Sequence, residues 1–193
     1  MNLFLIVVSY FVGTLPFAYV TGRLLKGVDI RQIGDGNAGA SNISRNVSNT
    51  AGIIVLASDA CKGALVILLA QALSTQTVAL WCGLAAVAGH NWPVFLRFRG
   101  GRGMSTTIGI ILALVTIPMA IVSIAGLLTL LKTRSISLAG FIIFVPLPLL
   151  EWVFQVPALL IVYSLALPCL SGLVHLITTR NLSTEQKKEA LCW

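Results

Sequence analysis

Seven apolar windows, at residues 2–21, 52–72, 78–96, 104–117, 119–131, 137–153 and 156–178, take up most of the 193-residue chain. About 20 apolar residues cross the hydrocarbon core of a bilayer, and a spanning segment must satisfy its own backbone groups, which a helix does. The windows therefore predict an all-α integral membrane protein, and a content of 57% hydrophobic and 10% charged residues agrees. The first window lacks a basic start and a small-residue cleavage site, so it reads as a retained span and not a signal peptide. No repeat, low-complexity tract or composition shift divides the sequence, which predicts one domain over residues 1–193.

The fourth and fifth windows decide the topology. Residues 104–131 as one helix would reach about 40 Å at about 1.5 Å per residue, against a core of about 30 Å, and Pro118 falls in the middle. Read as two passes, they give a bundle of seven transmembrane helices, N-terminus out and C-terminus in. Arg23, Lys26, Arg31, Arg45, Arg97, Arg99, Arg102, Lys132, Arg134, Arg180, Lys187 and Lys188 then all lie inside, and outer loops hold no Lys or Arg. Six passes would move Lys132, Arg134, Arg180, Lys187 and Lys188 outside. Both windows are short, and a hairpin turning at Ile117 and Pro118 without crossing is the alternative. The excess of 13 Lys and Arg over 6 Asp and Glu thus reports topology; no contiguous basic surface suited to nucleic acid is present. Cys61, Cys82, Cys169 and Cys192 have no metal-ligand spacing, and no metal site is expected.

Three polar clusters interrupt this apolar background. The first is Gly34 to Asn42, with Asp35, Gly36, Asn37, Gly39, Ala40 and Ser41 between them. Its three glycines permit backbone torsions that turn successive amides toward one anion, and Arg45 can fork two N–H groups onto phosphate or carboxylate oxygens. A flexible loop is the bland reading. The second is Asp59 to Gly63, about one-third into the second span. There Asp59 and Lys62 share a helix face and can neutralise each other, either as a packing pair or with Lys62 lining a substrate site. The third runs from Gly89 and His90 through Trp92 and Phe98 to Gly100, Gly101, Arg102 and Gly103. It offers further loop amides around a cation at the start of a helix, whose N-terminus favours an anion. His90 alone reads as a helix-end hydrogen-bonding residue, and Trp92 and Phe98 as interfacial anchors.

In the seven-pass topology all three clusters reach the inner face. Two glycine-rich nests with Arg45, Lys62 and Arg102 at the lipid–water boundary suit a phosphorylated head with an acyl tail between helices. No nucleophile–base set can be assigned, so positioning and charge stabilisation would carry the chemistry.

These clusters resemble the signatures of the bacterial acyl-phosphate-dependent glycerol-3-phosphate acyltransferases, the PlsY family: GDGNAGASN at 34–42, DACKG at 59–63 and GHNWPVFLRFRGGRG at 89–103, in that order. The resemblance implies transfer of a fatty acyl group from acyl phosphate to the sn-1 hydroxyl of glycerol 3-phosphate. The products would be lysophosphatidic acid and phosphate, for phospholipid biosynthesis in the bacterial inner membrane, with the site on the cytoplasmic side. It implies no cofactor, no metal and no protein base, and a soluble enzyme as supplier of the acyl phosphate. Gly36, Asn37, Gly39, Ala40 and Arg102 would hold the donor's phosphate. Arg45, Ser137 and Asn181 would hold glycerol 3-phosphate, supported by Lys62, with Ser41, Asn42, His90, Gly101 and Gly103 completing the site.

Two positions depart from the family pattern: Asp35 stands where serine is usual, and Arg102 where lysine is usual. A carboxylate in a phosphate nest repels the ligand unless protonated or turned onto an arginine. Asp35 could instead cap a helix, bond the loop, or act as a general base. A second function class stays open on this ground, a non-catalytic relative that binds or moves a phosphorylated metabolite or lipid. Acyltransferases of the HxxxxD type do not fit, because Phe95 follows His90 and Arg180 follows His175 at the fifth place.

Overall fold

Helix boundaries fall where the sequence withdraws a backbone donor or supplies a cap. Helix α1 (Asn2–Gly13) ends just before Pro16, and α2 (Phe17–Lys26) closes on Gly27 in the left-handed region, φ 68°. A short turn at Ile30–Gln32 leads to α3 (Ala40–Asn46) and then to α4 (Asn49–Leu73), capped by the Ser48 side chain. Helix α5 (Gln76–Asn91) is capped by Thr75. After the glycine-rich loop come α6 (Met104–Leu114), α7 (Thr116–Thr133), α8 (Ile136–Phe144), α9 (Leu147–Val153), α10 (Ala158–Thr179) and α11 (Thr184–Glu189). The structure, a computed structural model, describes all residues 1–193.

Six stretches are long and apolar enough to cross a membrane: Asn2–Lys26, Asn49–Leu73, Gln76–Leu96, Thr116–Thr133, Ile136–Val153 and Ala158–Thr179. The seventh expected span, α6, has only 11 residues, about 16 Å, roughly half the bilayer core. The break after it also moves. Val115 leaves the helical region at φ −135°, ψ 64°, whereas Pro118 sits in the first turn of α7, where its missing N–H has no helical partner to lose. Helix α6 begins beside Asn91, close to Gly103. At the far end of α7, the Arg134 carbonyl accepts the Trp193 N–H at 2.8 Å. Next to it, the Cys192 carbonyl accepts from Arg45. Both outer ends of the α6–α7 unit thus lie on the face that carries α3.

Packing is principally α4 on α6, α1 on α5 and α7 on α8. A Cβ at Gly109 would lie 1.8 Å from the Ala60 carbonyl oxygen, so α4 and α6 touch backbone to backbone. This is how helices associate in lipid, where small residues permit close van der Waals approach. Gly109→Val should therefore lower stability by about 2–4 kcal/mol, read as a lower unfolding temperature in detergent. Ile67, Ile110, Ile111, Met119, Leu147 and Leu167 form the centre of the main core. Leu24, Leu65, Ile124 and Val162 point outward, the inverse of a soluble protein.

Candidate phosphate-binding site

The first cluster is organised around Asn42, a side chain with no exposed surface. Its Nδ2 donates to the carbonyls of Ile30, Ile33 and Asn37 at 2.9, 3.0 and 3.0 Å, and its Oδ1 accepts from Asn46 at 2.8 Å. Asn42 therefore ties the loop to α3 and has no free donor for a ligand. Upstream, Arg31 grips Asp29 through Nε and Nη2 at 2.9 and 2.7 Å and donates Nη1 to the Leu96 carbonyl at 2.8 Å. The Arg31 hydrogen bond holds the Asp29 carboxyl below the usual carboxylate range. The pair binds the first loop to the third.

The loops are stitched further by Ala38 N–H donating to the Gly100 carbonyl at 3.4 Å. Gly100 and Gly101 donate their own amides back to the Asn91 and His90 carbonyls, both at 3.1 Å. A Cβ at Gly101 would lie 2.2 Å from His90 Nε2 and 3.0 Å from the Ala38 carbonyl, so only glycine fits where the strands of loop cross. The second nest of free amides expected at Gly100 and Gly101 is thus not available; those donors hold the loop onto the end of α5. In the first nest, Gly36 N–H bonds Ile33 and Asn37 N–H bonds Asp35, while the amides of Gly39, Ala40, Ser41 and Asn42 at the start of α3 have no partner.

The second cluster lies directly beneath Gly101. Lys62 Nζ is 2.6 Å from Asp59 Oδ1, 3.0 Å from His90 Nδ1, and donates to the Leu15 carbonyl at 3.0 Å, which the break before Pro16 exposes. The Phe17 ring covers the ammonium at 5.5 Å. Lys62 is nearly inaccessible and has internal partners, so it supports the loops instead of lining a free surface. All three clusters adjoin.

On the other side of the stitched loops, Asp35 has turned onto the arginines. Its Oδ1 lies 3.1 Å from Arg45 Nη2 and its Oδ2 2.9 Å from Arg102 Nη1, with no part of the carboxylate exposed. Burial lowers the Arg102 guanidinium from its ordinary value, and Asp35 opposes that shift. The contacts are close but poorly aligned: Asp35 Oδ2 and Arg45 Nη2 make no hydrogen bond, and Nε of both Arg45 and Arg102 is buried without an acceptor. Buried guanidinium donors without acceptors are rare, because each forfeits its hydration. An anion entering here would find two pre-aimed cations and one competing carboxylate.

Beside this clasp opens a groove of about 610 Å³, whose walls include Gly36, Asn91, Arg97, Arg99 and Gly101, with Val174 and Thr178 of α10. Arg97 and Phe98 both hold positive φ, 55° and 59°, a strained pair that aims the loop outward. Asn91 is buried with neither side-chain polar atom bonded. Asn91 lies in the third cluster but was given no role there, and Val174 and Thr178 were not expected to contribute because they sit in an apolar run. Ser137 is exposed in the first turn of α8, and Asn181 is exposed just beyond α10. The connection just before α8 reaches Arg45 through the C-terminal segment: Ser135 pairs with Cys192, whose carbonyl accepts from Arg45.

With this geometry in view, the sequence pattern of the family described as glycerol-3-phosphate acyltransferase matches residues 3–184. The chain is 45% identical to glycerol-3-phosphate acyltransferase 4 of Dehalococcoides mccartyi over 94% of its length and 98% of the relative's. It is 35% identical to the glycerol-3-phosphate acyltransferase of Alkaliphilus metalliredigens, over 97% and 95% respectively. The crystal structure of PlsY, an integral membrane glycerol 3-phosphate acyltransferase, in its glycerol 3-phosphate form superposes with a TM-score of 0.82 at 31% identity, covering 94% of this chain and 91% of that one. The lysophosphatidic acid form gives 0.80 at 30% identity, with the same coverage.

Proposed function

The chain belongs to the glycerol-3-phosphate acyltransferase family and is a membrane enzyme of phospholipid synthesis, and from that premise we propose that its acyl donor is an acyl phosphate and its acceptor the sn-1 hydroxyl of glycerol 3-phosphate. The observation that carries this reading is the pair Arg45 and Arg102, buried around one carboxylate with both Nε donors unoccupied. Arg102 and the amides at the start of α3 would hold the donor's phosphate. Arg45, with Ser137 and Asn181, would hold the acceptor's. The acceptor oxygen attacks the acyl carbon, the bond from that carbon to the phosphate oxygen breaks, and the hydroxyl proton leaves on the released phosphate. Asp35 faces two guanidiniums and serves as their counter-ion, so it is not assigned as the base. Proximity and charge neutralisation then supply the rate.

Seven crossings with the C-terminus and the site on the cytoplasmic side follow from the same reading. What supports it is that α6 starts and α7 ends on the site's face, which also gathers Arg45, Arg97, Arg99, Arg102 and Arg134. A soluble enzyme that makes acyl phosphate would deliver it there. The test is to incubate purified protein with labelled glycerol 3-phosphate and either palmitoyl phosphate or palmitoyl-CoA. Lysophosphatidate formed with one phosphate per turnover, and only from the acyl phosphate, supports the reading. Absence of product from protein that still binds glycerol 3-phosphate would favour a binding protein instead.

Asp35 makes a further expectation. A carboxylate lodged between Arg45 and Arg102 competes with phosphate for the same donors, so Asp35→Asn or Asp35→Ser should lower the acceptor KM by about tenfold. Initial rates over a range of glycerol 3-phosphate concentrations measure this. A collapse of kcat would instead make Asp35 the base.

A further inference from the structure

The sequence pattern of the family ends at residue 184, yet the segment beyond it folds back onto the site. Gln186 Nε2 in α11 donates to the Gly34 carbonyl at 3.2 Å, at the head of the first glycine loop. Leu191 and Trp193 then pair with the α7–α8 connection. The Leu191 carbonyl accepts from Ile136 N–H at 3.0 Å, and Trp193 N–H donates to the Arg134 carbonyl at 2.8 Å, making an isolated bridge between Ser135 and Cys192. The Trp193 ring packs against the small core beneath the loop, which contains Ala38, Ala40 and Ile43. Between these anchors, the Cys192 carbonyl accepts a hydrogen bond from Arg45 Nη1.

Which donor the tail occupies matters. A guanidinium grips a phosphate or carboxylate bidentately through one edge, and the side edge is formed by Nε with Nη2. In Arg45 those are the two buried nitrogens without a hydrogen bond, while Nη1 on the other side is held by the tail. A long side chain otherwise samples many rotamers, and fixing it beforehand removes that cost from ligand binding. We propose that residues 186–193 form a positioning strap that locks Arg45 with its Nε–Nη2 edge toward the acceptor phosphate. This rests on the acceptor role given to Arg45 above.

The strap is tested by steady-state kinetics on the full enzyme and on chains terminated after Ala190. Truncation should raise the KM for glycerol 3-phosphate roughly tenfold, with kcat and the acyl-phosphate KM held within about twofold. Should the truncated chain fail to fold, Trp193→Ala is the substitute, with a smaller rise in the same KM, and Trp193→Phe should restore it. In an Arg45→Ala background, where the KM is already raised, truncation should add nothing, as expected of residues acting through one another. A KM that stays the same or falls on truncation while Arg45→Ala is impaired overturns the strap alone, as does an effect that persists without Arg45. An unchanged KM in Arg45→Ala by itself overturns the acceptor reading and the strap with it.

Discussion

Replacing Arg102 by alanine is expected to reduce kcat/KM by roughly three to four orders of magnitude, with Arg102→Lys retaining activity to within about tenfold. The side chain is only 10% exposed, with Nη1 at 2.9 Å from Asp35 Oδ2, and its buried Nε has no acceptor. Its loss removes a charge-assisted contact of about 1.5–3 kcal/mol and the neutralisation of charge on the departing phosphate, about 3 kcal/mol in comparable sites. It also leaves Asp35 buried with Arg45 as its one remaining cation, so the variant should unfold earlier. The double variant Asp35→Asn, Arg102→Ala separates these effects: unfolding temperature recovers because no uncompensated carboxylate remains, while kcat/KM stays low. Recovery of both would mean that Arg102 serves only as a counter-ion. Lysine keeps the charge without the planar fork, which is why partial activity is expected.

Gly101→Val is expected to abolish at least 99% of kcat/KM, at a stability cost of only about 1–3 kcal/mol. A side chain at this position meets His90 Nε2 and the Ala38 carbonyl at 2.2 and 3.0 Å, so the third loop must lift from the first. That opens the Ala38 to Gly100 hydrogen bond and moves the whole wall of the groove away from the start of α3. Both substrates should suffer, unlike the acceptor-specific effect of Arg45→Ala. Rates measured against each substrate, with thermal unfolding as the folding control, check this. Gly101→Ala should fall between, since His90 can swing only by disturbing its contact with Lys62.

Much of this site was legible because glycines and charges stand out in an apolar sequence. The three clusters, the Asp59–Lys62 pair at helical spacing and the apolar windows all follow from residue type and period alone. What sequence could not supply was which atoms each polar group would meet. Asn37 and Asn42 look alike as donors, yet Asn42 is used entirely inside the loop. The Lys62 partner at Leu15 and the Arg45 partner at Cys192 are main-chain carbonyls, which carry no sequence signature. The fourth window breaks at Val115, a residue with no helix-breaking character, so tertiary packing sets that boundary where Pro118 had seemed the marker. Asp35, the clearest departure from the family pattern, was readable as needing a cation; that it takes two at once required the fold.

Crystals grown with glycerol 3-phosphate would test the clasp most directly, by showing where the phosphate density lies. The predicted result is a phosphate within hydrogen-bonding distance of Arg45 Nε, close to Arg102, with the Asp35 carboxylate displaced from at least one guanidinium. A phosphate resting on Arg97 and Arg99 at the groove's rim, with Asp35 still between the two arginines, would contradict it.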